Sequence, residues 1–314
     1  MTQVHETKEI FDKIMNEMSK RIVGNETVLE LIFASLLSEG HVLLEGVPGI
    51  AKTLMASTLA EVVKMDFKRI QFTSDLMPAD ITGGNIYERE TSSFTFIEGP
   101  VFTNILLTDE INRSPPKTQS ALLEAMQEKQ VSAGKKTYKL SKPFMVIATQ
   151  NPIESTGVYP LPEAQVDRFL VKIPVYPPSL DGEIDMLKMK REKMFADVDA
   201  VTKRDTILKL ITEIEKSVVV SNQILEYIAK LVLATRSIHS LALGASPRGS
   251  IALLTLSRSI AAIRGRDYVE PDDIKSIFFP VMNHRLILSP EAEIEQIRIG
   301  EIIQNILSEV EVVI

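Results

Sequence analysis

The apolar run Val42-Leu43-Leu44 feeds, through Glu45, into Gly46-Val47-Pro48-Gly49-Ile50-Ala51-Lys52-Thr53-Leu54. That order commits the chain to a buried strand, a phosphate-binding loop and a helix. Such a loop turns several backbone N–H groups toward one point, where Lys52 adds a full positive charge and the helix N-terminus a partial one. A triphosphate fits that field. In this reading Lys52 reaches the β- and γ-phosphates and the Thr53 hydroxyl goes to Mg²⁺. Ala51 stands where the G-x-x-x-x-G-K-[ST] pattern has its second glycine; alanine is the mildest replacement, and Gly49 keeps the turn flexible.

Four more short apolar runs, at residues 67–72, 104–107, 144–149 and 169–173, alternate with helical stretches. Five such strands predict an α/β fold with a parallel sheet covered on both faces. Before them, Phe11, Ile14, Met15 and Met18 recur at helical spacing, and a second helix is expected over residues 26–38. Two segments break the alternation. Residues 85–102 carry Phe94, Phe96 and Ile97 around the turn Thr91-Ser92-Ser93, and residues 130–140 place Ala133-Gly134-Lys135-Lys136 between strand-like flanks. Both read as β-hairpins inserted into the core, either as solvated ornaments or as working loops. Ser114-Pro115-Pro116 opens a helix with Leu122, Leu123 and Met126 on its apolar face.

Pro174, Pro177 and Pro178 mark a stiff linker. A nucleotide-binding α/β domain is therefore expected over residues 1–178 and a smaller, wholly helical domain over 179–314. In the latter, Ser221 caps a helix whose Ile224, Ile228, Leu231 and Leu233 are expected to face inward. Ser246-Pro247 and Glu270-Pro271-Asp272-Asp273 open two more, and a last helix starts near Pro290.

The strand at 104–107 runs on into Thr108-Asp109-Glu110, delivering two carboxylates to the sheet edge beside the phosphate loop. Asp109 can hold Mg²⁺, directly or through water, and Glu110 can orient and deprotonate an attacking water. A third strand ends in Thr149-Gln150-Asn151-Pro152, where Asn151 could hold that water or the γ-phosphate. Arg168, in Asp167-Arg168-Phe169, and Arg248, in Ser246-Pro247-Arg248, complete the set.

A net charge of −7 disfavours broad attachment to nucleic acid or anionic lipid. The absence of cysteine rules out disulfides and thiolate metal sites, and the four histidines, His5, His41, His239 and His284, show no metal-ligand spacing. His41, ahead of the first strand, reads as structural. No secretory leader is visible and no apolar stretch approaches the length of a bilayer span, so a cytoplasmic protein is expected.

In this order, the phosphate loop, Asp109-Glu110-Ile111-Asn112-Arg113, Thr149-Gln150-Asn151-Pro152, Asp167-Arg168-Phe169 and Ser246-Pro247-Arg248 together resemble the MoxR family of AAA+ ATPases. The resemblance spans nearly the whole chain and includes residues 109–124 and the His284-Arg285 pair within 281–286. It implies an ATP-binding α/β core and helical lid, assembled as a homo-oligomeric, normally hexameric ring with ATP between subunits. Carried over, Lys52 and Thr53 hold phosphate and Mg²⁺, Asp109 and Glu110 form the Walker B pair, and Asn151 is sensor 1. Arg168 resembles the arginine finger given to the neighbour, with Arg113 as the alternative. Arg248 resembles sensor 2, swinging in with the lid. Ile22, Val23 and Gly24 match the stretch that lies against adenine. The two hairpins match loops that relatives turn on protein clients, often proteins with a von Willebrand factor A domain.

The expected activity is ATP hydrolysis coupled to remodelling, maturation or metal loading of a protein partner. The competing classes are a nucleic-acid motor or loader and a nucleotide-sensing scaffold without turnover. The acidic balance weakens the first and the filled catalytic positions weaken the second. No Asn-Lys-x-Asp segment supports a GTPase.

Overall fold

The computed structural model describes residues 3–90, 92–134, 136–152, 157–192 and 197–312. Thr91 and Lys135 of the expected hairpin turns, and residues 313–314, lie outside them. The chain opens with α1 (Gln3–Ser19) and α2 (Glu26–Leu37), then β1 (Val42–Glu45) and α3 (Lys52–Val62). After β2 (Phe67–Gln71) and α4 (Pro78–Thr82) comes the first hairpin, β3 (Gly83–Glu88) and β4 (Ser93–Glu98). Strand β5 (Ile105–Asp109), α5 (Pro116–Glu128) and the second hairpin, β6 (Gln130–Ala133) and β7 (Lys136–Lys139), follow. The α/β part ends with β8 (Met145–Gln150), α6 (Glu163–Val166) and β9 (Val171–Pro174).

The strands form one parallel sheet in the order β2-β5-β8-β1-β9. Period-2 alternation divides each inner strand between two apolar layers. Val42, Leu44, Ile105, Leu107, Met145 and Ile147 face the layer shared with α1, α2 and α3. Leu43, Leu106, Val146 and Ala148 face the other, with Leu122, Leu123 and Met126 of α5 and Ile81 of α4. Strands buried on both sides need no polar alternation, which is why the sequence shows them as unbroken apolar runs. Edge strand β2 differs, since Lys68, Arg69 and Gln71 are exposed. The two carboxylates are not on the strand next to the phosphate loop, because β8 lies between β1 and β5.

The rest comprises α7 (Leu180–Arg191), α8 (Arg204–Ser217), α9 (Asn222–Thr235), β10 (Leu241–Leu243), α10 (Pro247–Ile263), α11 (Pro271–Met282), β11 (Ile287–Leu288), α12 (Pro290–Ile294) and α13 (Ile299–Glu309). Ser221 and Ser246 cap α9 and α10 through their side chains, and Glu270 with Asp273 forms a capping box on α11. Among its described residues this half is helical apart from an isolated bridge between Val219 and Tyr268 and a two-stranded ribbon, β10 with β11, too short to show as strands in the sequence. Two further corrections apply. Leu233 is exposed, lying off the stripe formed by Ile224, Ile228 and Leu231. The helix at Pro290 also stops after one turn, and the terminal helix is α13. Buried Ile207, Leu231, Leu253, Leu256 and Phe278 from this half join the same layer as α1 to α3.

Candidate functional site

Loop residues 46–51 leave β1 at its C-terminal end. Gly46 cannot be replaced without displacement, since a Cβ there would meet the Val175 carbonyl at 2.6 Å and Ile50 Cδ1 at 2.4 Å. Gly49 has φ +86°, and Ala51, at the N-cap of α3, has φ +61°. The departure from the glycine pattern is therefore a strained one: a left-handed alanine costs about 1–2 kcal/mol relative to the right-handed form. Lys52 heads α3, and its ammonium donates to the Gly46 carbonyl. Burial pushes the Lys52 pKa down, and Asp109, Glu110 and Glu45 only partly offset this. A cation so placed is one an anionic ligand would stabilise.

A cleft of about 370 Å³ opens here, lined by residues of the loop, Lys52, Thr53 and Leu54, Arg69 and Gln71 from β2, Asp109 and Glu110, and Thr149 and Asn151. Except for Arg69, these groups sit at or just beyond the C-terminal ends of parallel strands, the edge where such sheets bind ligands. Asp109 is buried; its Oδ2 accepts from Arg69 Nε at 2.6 Å and its Oδ1 from the Thr149 hydroxyl at 3.3 Å. The same Thr149 oxygen accepts from the Glu110 amide at 2.9 Å, which helps hold Glu110 at φ +56°. Glu110 Oε2 in turn accepts from Gln71 Nε2 at 2.5 Å and lies 3.2 Å from Arg113 Nε. Asn151 is buried at the cleft wall.

Gln71 and Arg69 were not singled out in the sequence. The available signal was their i, i+2 spacing on a strand, which puts both on one face, but only the register Gln71 opposite Asp109 shows that this face meets the carboxylates. Among the described residues, no three His, Cys, Asp or Glu side chains are grouped to hold a metal ion. A divalent cation at Thr53 and Asp109 would thus rely on phosphate and water for most of its oxygen shell, which is how Mg²⁺ is commonly held.

Arg168 and Arg248 are not brought into this cleft. They line a separate cavity of about 320 Å³ with Gly40, His41, Phe169 and Leu170, residues that precede β1 and β9. That cavity is therefore at the N-terminal edge of the sheet. The four residues of β1 alone put the two edges roughly 13 Å apart at about 3.3 Å per residue, so Arg248, expected as sensor 2, stands away from the phosphate loop of its own chain in this structure. Arg168 Nε is buried with no hydrogen-bond partner among the described residues, and Arg248 is exposed. Arg113, the alternative finger, belongs to the cleft through Glu110. Val23 and Gly24 lie between α1 and α2, where Val23 Cγ1 is 3.8 Å from a Cβ built on Gly182 of α7.

The His-Arg pair at the end of α11 is also ordered around Asp167. Arg285 is buried, and burial draws its pKa down to about 10 against the pull of Asp167. Its Nε donates to Asp167 Oδ1 at 2.8 Å. His284 Nε2 donates to the Phe169 carbonyl at 3.1 Å, and burial holds its pKa well below the usual value.

Residues 41–171 match the ATPase family associated with various cellular activities (AAA), and residues 226–306 match the AAA lid domain. The chain is 44% identical over 304 residues to the uncharacterized protein YeaC of Bacillus subtilis, covering 96% of this chain and 95% of that one. It is 44% identical over 308 residues to the chaperone MoxR1 of Mycobacterium tuberculosis, with 95% and 81% covered. The protein MoxR of Methylorubrum extorquens is 29% identical over 313 residues, with 90% and 89% covered. A crystal structure of a candidate ATPase from Cytophaga hutchinsonii superposes with a TM-score of 0.92 at 41% identity, covering 99% and 97% of the two chains.

Proposed function

The chain belongs to the MoxR family of AAA+ ATPases, and on that premise we propose that it hydrolyses ATP within a homo-oligomeric ring, hexameric as in the family, to remodel or mature a protein client. The observation that carries this is the division of the motif residues between two edges of one sheet. Lys52, Thr53, Asp109, Glu110 and Asn151 stand at one edge, and Arg168 and Arg248 at the other. At this distance from their own phosphate loop, Arg168 and Arg248 would meet nucleotide by way of a neighbouring subunit.

In this reading residues 46–54 bind the triphosphate and Ile22, Val23 and Gly24 lie against the adenine. Thr53 and Asp109 would hold Mg²⁺, which when bound neutralises phosphate charge. Glu110 accepts the proton of the attacking water, whose oxygen bonds to the γ-phosphorus as the bond to ADP breaks. Asn151 orients that water, and the neighbour's Arg168 and Arg248 balance charge on the transferring group. Because phosphoryl transfer needs placement and charge more than covalent help, losing the arginine contribution alone costs on the order of 10³ in rate. The Arg69 contact on Asp109 and the Gln71 and Arg113 contacts on Glu110 orient both carboxylates through neighbouring side chains. Exposed Ile86, Tyr87, Phe94 and Ile97 on the first hairpin support a protein client, of the von Willebrand factor A kind that the family implies.

The test is ATP hydrolysis against protein concentration, with sizing in ATP, for wild type and Glu110→Gln. Specific activity should rise with concentration, and Glu110→Gln should form the ring while losing at least a hundredfold in turnover. Concentration-independent hydrolysis by a monomer would remove the shared site.

A further inference from the structure

The two arginines of the second cavity come from distant parts of the chain, Arg168 from the end of the α/β part and Arg248 from the first turn of α10. One buried side chain ties them together. Arg285 donates from Nε to Asp167 Oδ1 (2.8 Å), from one terminal nitrogen to the Phe169 carbonyl (2.7 Å), and from the other to the carbonyls of Leu170 (3.2 Å) and Val281. Asp167 uses its other oxygen to accept from Ser246 Oγ at 3.0 Å, and Ser246 is the residue that caps α10. The first turn of α10 also lies directly on the Arg285 stem, since a Cβ on Gly249 would come 3.5 Å from Arg285 Cδ. The neighbours of Arg285 extend the grip: Asn283 donates to the Lys172 carbonyl at 2.8 Å and His284 to that of Phe169.

The carboxylate next to Arg168 thus binds both the cap of the helix that carries Arg248 and the guanidinium at the end of α11. We propose that Arg285, acting through Asp167 and Ser246, is a positioning residue that fixes Arg168 and Arg248 as one rigid pair for delivery to the adjoining subunit. This rests on the reading that those arginines act in trans. Arg285 does not line the phosphate cleft. Nearly all its donors are spent on protein acceptors, as expected of a group that sets geometry rather than binds phosphate. A guanidinium suits the task because its planar fork can satisfy several acceptors at fixed angles, which lysine cannot.

A merely structural ion pair would lower stability and hydrolysis together, and mixing subunits would not restore either. A positioning role predicts complementation. Arg285→Gln or Asp167→Asn should each reduce ring hydrolysis at least fivefold while nucleotide affinity of the isolated protomer stays within twofold. Asp167→Asn keeps the side-chain shape and serves as the deciding variant should Arg285→Gln fail to fold. Mixed one to one with Glu110→Gln, whose arginines are intact, either variant should recover activity above both parents, because its own complete phosphate site then meets a correctly placed pair. Arg168→Ala mixed with Glu110→Gln is the reference. Recovery in the reference but not with Asp167→Asn would overturn the positioning role and leave the trans reading standing. No recovery in the reference would overturn the trans reading, and the positioning role with it.

Discussion

His41 shows how completely one side chain can be removed from chemistry by its surroundings. Its Nδ1 accepts from the Val146 amide at 3.0 Å and its Nε2 donates to the Met126 carbonyl at 3.2 Å, so both nitrogens serve the frame of the sheet. A second proton on the ring would have no acceptor and would break the first bond. Burial brings its pKa from 6.5 down to about 4. Between those values the unfolded chain binds a proton at His41 that the folded chain refuses. Stability therefore falls as pH drops through that window, by up to about 3 kcal/mol from this residue; half-buried His284, its pKa also lowered, acts with the same sign. His41→Gln can keep both hydrogen bonds without titrating. Denaturant melts from pH 7 to pH 4 should show a shallower loss of stability for this variant than for wild type, and parallel curves would contradict the account. The structural role of His41 was legible from its place before an apolar strand, and the gathering of Lys52, Thr53, Asp109 and Glu110 at one sheet edge was legible from theirs. What contacts the carboxylates was not. Gln71 and Arg69 meet Glu110 and Asp109 only because β2 pairs with β5, and strand order in a parallel sheet is decided by crossovers that no local pattern encodes.

At the scale of elements, the two hairpins were readable as hairpins, from polar turns between β-prone flanks, but not as one unit. Phe96 of β4 stacks on Tyr138 of β7 with ring centroids 4.0 Å apart, and also meets Phe102 edge-on. The stack holds the hairpins together, while Tyr87 and Phe94 pair with each other in solvent at 5.3 Å, with Phe94 72% exposed. The two aromatic pairs therefore have separable effects. Tyr138→Ala removes an interaction worth about 1 kcal/mol beyond its area and should lower the melting temperature by a few degrees. Phe94→Ser removes no interior contact and should change stability by no more than about 0.5 kcal/mol. Neither hairpin contributes to the phosphate cleft, so both variants should keep basal ATP hydrolysis within twofold. A large loss of basal activity in Phe94→Ser would make the hairpin tip a contact between subunits instead of a surface for a client.

The whole molecule is organised around an apolar interior that the order of motifs along the chain conceals. The prolines at 174, 177 and 178 mark a change from α/β to helical architecture, and from sequence that reads as a boundary between two bodies. Yet α1 and α2, which precede the sheet, pack against α8 and α10, which follow the linker. Helix α2 is apolar nearly all round, with Leu29, Leu31, Ile32, Phe33, Leu36 and Leu37 all buried, as befits an element enclosed on every side. Its outer covering is supplied by residues beyond 200. Each large side chain uncovered by removing that half forfeits about 1.5–3 kcal/mol, and a handful would consume a typical total stability of about 5–15 kcal/mol. A fragment of residues 1–178 contains every group of the phosphate cleft, so a simple modular view has it binding ATP. The shared interior predicts the opposite: no cooperative melt, exposed apolar surface that binds a hydrophobic dye, and no nucleotide binding, although Lys52, Asp109 and Asn151 are all present. A fragment that melts cooperatively and binds ATP would mean that α1 and α2 can close the interior unaided. The helical half would then serve mainly to carry Arg248 and its clamp.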